Sequence, residues 1–118
     1  MSVIDFSVTT AEVDGNAFVV SLTGEVDLHT APELERALDG VMALGCTSAV
    51  VDLADVSFID STTLSVLLRT HTRLRALGGR LVVVASDRRI LRTLELTGLD
   101  RLLPIERTLA EGVAAILD

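Results

Sequence analysis

The sequence contains no lysine: all ten of its basic residues are arginine. That absence excludes mechanisms built on a lysine ammonium or amine, so P-loop nucleotide chemistry and Schiff-base chemistry have no residue to carry them. Cys46 stands alone, which rules out an internal disulfide, fits a reducing compartment and reads as a small core residue. Positive charge is scarce as well. With a net charge of -7 and a pI near 4.7, the chain offers no basic stripe to displace counterions from phosphates, and nucleic acid is not an expected partner. Long apolar runs are missing: Ala49 to Val51 and Leu81 to Ala85 fall far short of the roughly 20 residues a membrane span needs. Met1 to Val8 carries Asp5 and no basic residue, so it does not read as a secretory signal. The expectation is a soluble, cytoplasmic protein with no membrane association.

What is present suits one compact domain over residues 1–118, since 49% hydrophobic content over 118 residues is ample for one core and leaves no room for a second. Val3, Phe6 and Val8 precede the Asp14-Gly15-Asn16 turn and Phe18 to Leu22 follows it, which predicts an antiparallel hairpin. Thr30-Ala31-Pro32-Glu33 has the spacing of a capping box with proline in the first turn. Leu34, Leu38, Val41 and Met42 recur at helical spacing, and Gly45 supplies the stop. Ala49 to Leu53 reads as a central parallel strand and residues 54–60 as a loop. A second helix starts at Ser61, carries Leu64, Leu67, Leu68, Leu74 and Leu77, and ends at Gly78-Gly79. Arg80 to Ala85 is the next strand. Asp87 caps a helix with Ile90, Leu91 and Leu94 that stops at Gly98. Leu102 to Ile105 is an edge strand that tolerates Pro104, and Thr108 with Glu111 opens a last helix. The order β-β-α-β-α-β-α-β-α predicts an α/β fold, a mixed sheet with an N-terminal hairpin and helices packed on it.

In such a sheet, partners gather at the carboxyl ends of the strands. Two polar segments fall there: Gly24 to Thr30, before the first helix, and Phe58 to Leu64, before the second. Ser61 has two readings, an N-cap worth about 1 kcal/mol or a phosphoacceptor whose phosphoryl group would sit in the positive field of a helix N-terminus beside Asp60. Asp27 and Asp60 read as solvated loop carboxylates rather than a catalytic dyad, because nothing supplies the burial that would split their pKa values. Asp27 and His29 lack the companions a zinc site needs, so no metal is expected. His71 reads as a rim position beside leucines, and no G-x-S-x-G elbow surrounds Ser61, so acyl transfer is unsupported. Arg88, Arg89 and Arg92 form either a docking patch or a solvated helix face.

The stretches Gly24-Glu25-Val26-Asp27 with Thr30-Ala31, and Asp55-Val56-Ser57-Phe58-Ile59-Asp60-Ser61-Thr62 before a leucine-rich helix, resemble the STAS family, named for sulfate transporters and anti-sigma factor antagonists. The Leu77-Gly78-Gly79-Arg80-Leu81 break and Leu96-Thr97-Gly98-Leu99 extend the resemblance over nearly the whole chain. In free-standing members, the serine after the aspartate of the Phe-x-Asp-Ser segment is phosphorylated by an anti-sigma factor that is also a serine kinase, and Ser61 stands in that place. The resemblance implies a bacterial partner-switching regulator of transcription, such as those of stress responses. The unmodified antagonist binds the anti-sigma factor and frees a sigma factor, phosphorylation releases it, and a PP2C-type phosphatase resets it. It implies partner-contact or positioning roles for Asp27, Asp60, Thr62 and Thr63 around Ser61, no enzymatic activity, no cofactor, and a monomer or weak dimer. The family often has glycine or another small residue where Thr63 stands, so Thr63 is expected to crowd the kinase's approach. The alternatives are a scaffold subunit of a larger STAS assembly and a small nucleotide-binding protein; the latter lacks a Gly-rich phosphate loop. A receiver domain would carry a lysine at its acidic site.

Overall fold

Gly15, at φ 44°, turns the chain between β1 (Ser7–Asp14) and β2 (Ala17–Val26), which pair antiparallel from Ser7 opposite Thr23 to Asp14 opposite Ala17. The structure is a computed structural model that describes residues 6–117, so Val3, expected in the hairpin, lies outside the described residues. After β2 come α1 (Ala31–Ala43), β3 (Ser48–Ile59), α2 (Ser61–Ala76), β4 (Leu81–Val84) and α3 (Arg88–Leu96). A 3-10 turn (Leu99–Arg101), β5 (Ile105–Glu106) and α4 (Leu109–Leu117) complete the chain. Among the described residues five strands form one sheet, in the order β1-β2-β3-β4-β5. The first pair is antiparallel and the other three are parallel, as the order of elements predicts.

The period-2 alternation of the central strands divides the core in two. Phe18, Val20 and Leu22 of β2, Ala49, Val51 and Leu53 of β3, and Leu81 and Val83 of β4 face one side. There they pack with Leu34, Leu38 and Val41 of α1, Leu64, Leu67 and Leu74 of α2, and Ile90 and Leu94 of α3. Ala17, Val19, Val50, Val82 and Val84 face the other side and pack with Ile116 of α4. With helices on both faces, the middle strands read as continuous apolar runs rather than alternating ones. Gly112 lets α4 close on the sheet, since a Cβ there would lie 2.6 Å from a Val84 methyl. Cys46 is buried in the larger cluster, as expected of a lone core cysteine, and that burial pushes its thiol pKa up.

Three local expectations need correction. The segment from Ala54 to Ile59 is not a loop: β3 continues to Ile59, pairing Asp55 with Thr23, Val56 with Gly24, Phe58 with Glu25 and Ile59 with Val26. Its polar residues hide the pattern, because register shifts between Ser21 and Thr23 and between Gly24 and Glu25 break the simple alternation. The capping box Thr30–Glu33 does not form, since Thr30 makes no side-chain cap hydrogen bond and uses its hydroxyl elsewhere. The edge strand is Ile105–Glu106 rather than Leu102 to Ile105. The preceding residues wind into the 3-10 turn that buries Leu99, and Pro104, without an N–H, contributes only its carbonyl, which accepts from the Val83 N–H at 2.9 Å.

Candidate functional site

Parallel pairing of Val26 with Ile59 brings the next residues, Asp27 and Asp60, to the same end of neighbouring strands, which lie about 4.8 Å apart. Each carboxylate closes its own turn. Asp27 Oδ1 accepts the backbone N–H groups of His29 at 2.9 Å and Thr30 at 3.3 Å. The Thr30 hydroxyl completes this knot: it accepts from the Asp27 N–H at 2.9 Å and donates to the Glu25 carbonyl at 3.0 Å. The His29 N–H, foremost among these contacts, holds Asp27 below the ordinary carboxylate pKa, against a partial desolvation that pushes it up. Asp27 is thus an ionised turn-former.

Asp60 is the N-cap of α2. Its Oδ1 accepts the Thr63 N–H at 3.0 Å, satisfying one of the donors a helix N-terminus leaves without an intrahelical partner. Ser61 is therefore not the cap but the first helical residue, one position on. Its side chain is exposed and makes no hydrogen bond among the described residues, while its carbonyl accepts the Ser65 hydroxyl at 3.0 Å. The cap leaves the Ser61 hydroxyl free at the positive end of a 16-residue helix.

Thr63, two residues on from Ser61, has a fully buried side chain. Its hydroxyl donates to the Val26 carbonyl at 2.9 Å and lies 3.1 Å from Asp60 Oδ1. The side chain points inward and ties the end of β2 to the cap of α2. Thr62 is half-buried beside Ser61.

Around this polar centre lie apolar side chains that periodicity alone did not single out. Leu28 is 64% exposed and Phe58 48% exposed. Phe58 is visible only once β3 is known to reach Ile59, which places it between inward-facing Val56 and Ile59. Leu68, which falls in the expected core stripe of α2, instead lines a shallow groove of about 290 Å³ with Ser61, Leu64, Ser65, Thr97, Leu99 and Leu102. Of the three arginines at the start of α3, Arg89 is spent on Asp87 at 2.9 Å and holds that carboxyl down at about 2; Arg88 and Arg92 have no acidic partner among the described residues. Among the described residues, no histidine or carboxylate is hydrogen-bonded to the Ser61 hydroxyl. The arrangement is one that can receive a group at Ser61 and present an apolar surface around it.

These features define a small α/β module whose polar turns are braced from within and whose candidate serine is open to a partner. Residues 8–112 match the STAS domain, and the chain belongs to that family. It is 30% identical over 108 residues to a protein of Listeria monocytogenes named anti-sigma-B factor antagonist, covering 92% of this chain and 95% of that one. It is 34% identical over 110 residues to the anti-sigma-F factor antagonist RsfB of Mycobacterium tuberculosis, covering 93% and 88%. The crystal structure of an anti-sigma factor antagonist from Mycobacterium paratuberculosis superimposes with a TM-score of 0.86 at 35% identity, over 97% of this chain and 96% of that one.

Proposed function

We propose that this chain is an anti-sigma factor antagonist that works by partner switching, with Ser61 as its phosphoacceptor. In the unmodified state it binds an anti-sigma factor of the serine-kinase type and so frees a sigma factor; phosphorylation of Ser61 releases it, and a PP2C-type phosphatase restores it. The observation that carries this reading is the exposed Ser61 hydroxyl, left free by the Asp60 cap at a helix N-terminus, with exposed Leu28 and Phe58 on the two segments that lead into the first two helices. The names borne by relatives of 30–34% identity support the antagonist class. A phosphoryl group on Ser61 would add about -1.5 to -2 charges to a surface that already holds Asp27 and Asp60. The helix N-terminus stabilises that group within the fold, while the partner must desolvate it. The protein itself is a cytoplasmic single-domain regulator, not an enzyme, acting as a monomer or weak dimer. Asp27, Asp60 and Thr63 hold the surface in shape, and Thr62 flanks it.

Mass spectrometry tests the modification. The protein and its Ser61→Ala variant are incubated with ATP and each anti-sigma kinase from the same genome. One phosphate on Ser61, absent from the variant, is expected; binding to a kinase without any phosphate on Ser61 would refute the switch.

A further inference from the structure

At the other end of α2 the surface changes sign. A depression of about 400 Å³ is lined by His71, Arg75, Arg80, Leu102 and Pro104. Two arginines and a histidine therefore border one depression, with no carboxylate among the described residues that line it, on a protein whose net charge is -7. Neither Arg75 nor Arg80 has an acidic partner among the described residues, whereas Arg69 and Arg73 of the same helix pair with Glu35 and Asp39 at 2.7 Å.

The placement of the three donors is built in. His71 and Arg75 are one helical turn apart on the same face. The helix then closes with a Schellman turn: the Gly78 N–H donates to the Arg75 carbonyl at 3.0 Å and the Gly79 N–H to the Leu74 carbonyl at 2.9 Å, with Gly78 at φ 85°. Gly79 admits no side chain, since a Cβ would lie 1.6 Å from the Thr47 carbonyl oxygen. This turn returns the chain so that Arg80 borders the same depression as Arg75. The imidazole is fixed too. Its Nδ1 accepts the Leu81 N–H at 3.3 Å, so a neutral ring keeps its proton on Nε2 and has a donor left to offer.

We propose that this depression is a binding site for a small phosphate-class oxyanion, held by the Arg75 and Arg80 guanidiniums and the His71 Nε2–H. Guanidinium forks match the paired oxygens of such a group, and two arginines without a carboxylate partner among the described residues favour it over a cation or a neutral ligand. The site is separate from the surface around Ser61: His71 lies ten positions along the helix from Ser61, about 15 Å along the axis. Leu102 nevertheless walls both this depression and the groove beside Ser61. Three donor side chains around one depression suit a small oxyanion better than an extended acidic protein segment, whose carboxylates would need donors spread along a track.

The test is isothermal titration of the full chain with inorganic phosphate and pyrophosphate at fixed ionic strength, comparing wild type, R75Q/R80Q, and an R88Q/R92Q control that removes two exposed arginines elsewhere. Saturable pyrophosphate binding that weakens at least about tenfold in R75Q/R80Q, equivalent to 1.4 kcal/mol, and persists in R88Q/R92Q is expected. No saturable binding by wild type, or an equal loss in both variants, would overturn the site. So would binding of an oligoglutamate peptide without binding of pyrophosphate, which would assign the surface to an acidic protein segment instead.

Discussion

Replacing Thr63 with valine keeps the branched shape and deletes one hydroxyl, and the sign of the resulting stability change decides what that hydroxyl does. The side chain is fully buried, 2.9 Å from the Val26 carbonyl and 3.1 Å from the Asp60 carboxylate. Removing it leaves the Val26 oxygen short of a donor in a site water does not reach, a deficit of about 1–3 kcal/mol. If the hydroxyl were idle, the extra methyl in apolar surroundings would instead leave stability unchanged or raise it by up to about 0.8 kcal/mol. Urea unfolding followed by circular dichroism separates the two cases, and thermal unfolding gives the same comparison. For a domain of this length a loss of 1–3 kcal/mol corresponds to a fall in Tm of about 4–12 °C. Because the bond joins the end of β2 to the cap of α2, the variant is also expected to present Ser61 less uniformly and to be phosphorylated more slowly. A T63V protein as stable as wild type, or more so, would refute the bracing role.

Two glycines give opposite predictions in the same assay. Gly79→Ala must move the Thr47 backbone and is expected to lose more than about 3 kcal/mol, whereas Gly40→Ala, inside α1 with nothing near its Cβ, is expected to gain about 0.5–1 kcal/mol. His71 gives a pH signature: burial, with the nearby Arg75 charge adding to it, sets its folded pKa below 6.5. Stability from this group is therefore full above pH 6.5, the unfolded value, and is lost as pH falls towards the folded one. Protonation also removes the Nδ1 acceptor that Leu81 uses. Unfolding free energy measured from pH 7.5 down to about 5 should fall for wild type and fall less steeply for His71→Leu; parallel profiles would contradict this.

Much of the fold was legible because the apolar spacing changes from period 2 to period 3.6 at clear punctuation. Gly45, Gly78 and Gly98 all adopt positive φ at the helix ends where the pattern stops. The second half of β3 was not legible, since Asp55, Ser57 and the register shifts opposite Gly24 mask an extended strand as a polar loop. The positions of the candidate site could be read from the strand ends, but the division of labour within it could not. Asp60 and Ser61 are both good N-cap residues, and only the backbone geometry shows that Asp60 takes the cap and leaves Ser61 free. Likewise Thr30 and Glu33 have capping-box spacing, yet the Asp27 turn competes for the Thr30 hydroxyl and wins. The inward rotation of Thr63 depends on a carbonyl 37 residues away at Val26, a contact that no local pattern encodes.

The most direct test of the account is the affinity of the cognate anti-sigma factor for the unmodified chain and for the same chain phosphorylated on Ser61, measured by titration calorimetry under identical salt. Phosphorylation is expected to raise Kd by about a hundredfold or more, the equivalent of about 2.7 kcal/mol, because binding would require a doubly charged group to be desolvated. Kd values that agree within about twofold would contradict it, and would make Ser61 a bystander on a surface that binds without being switched.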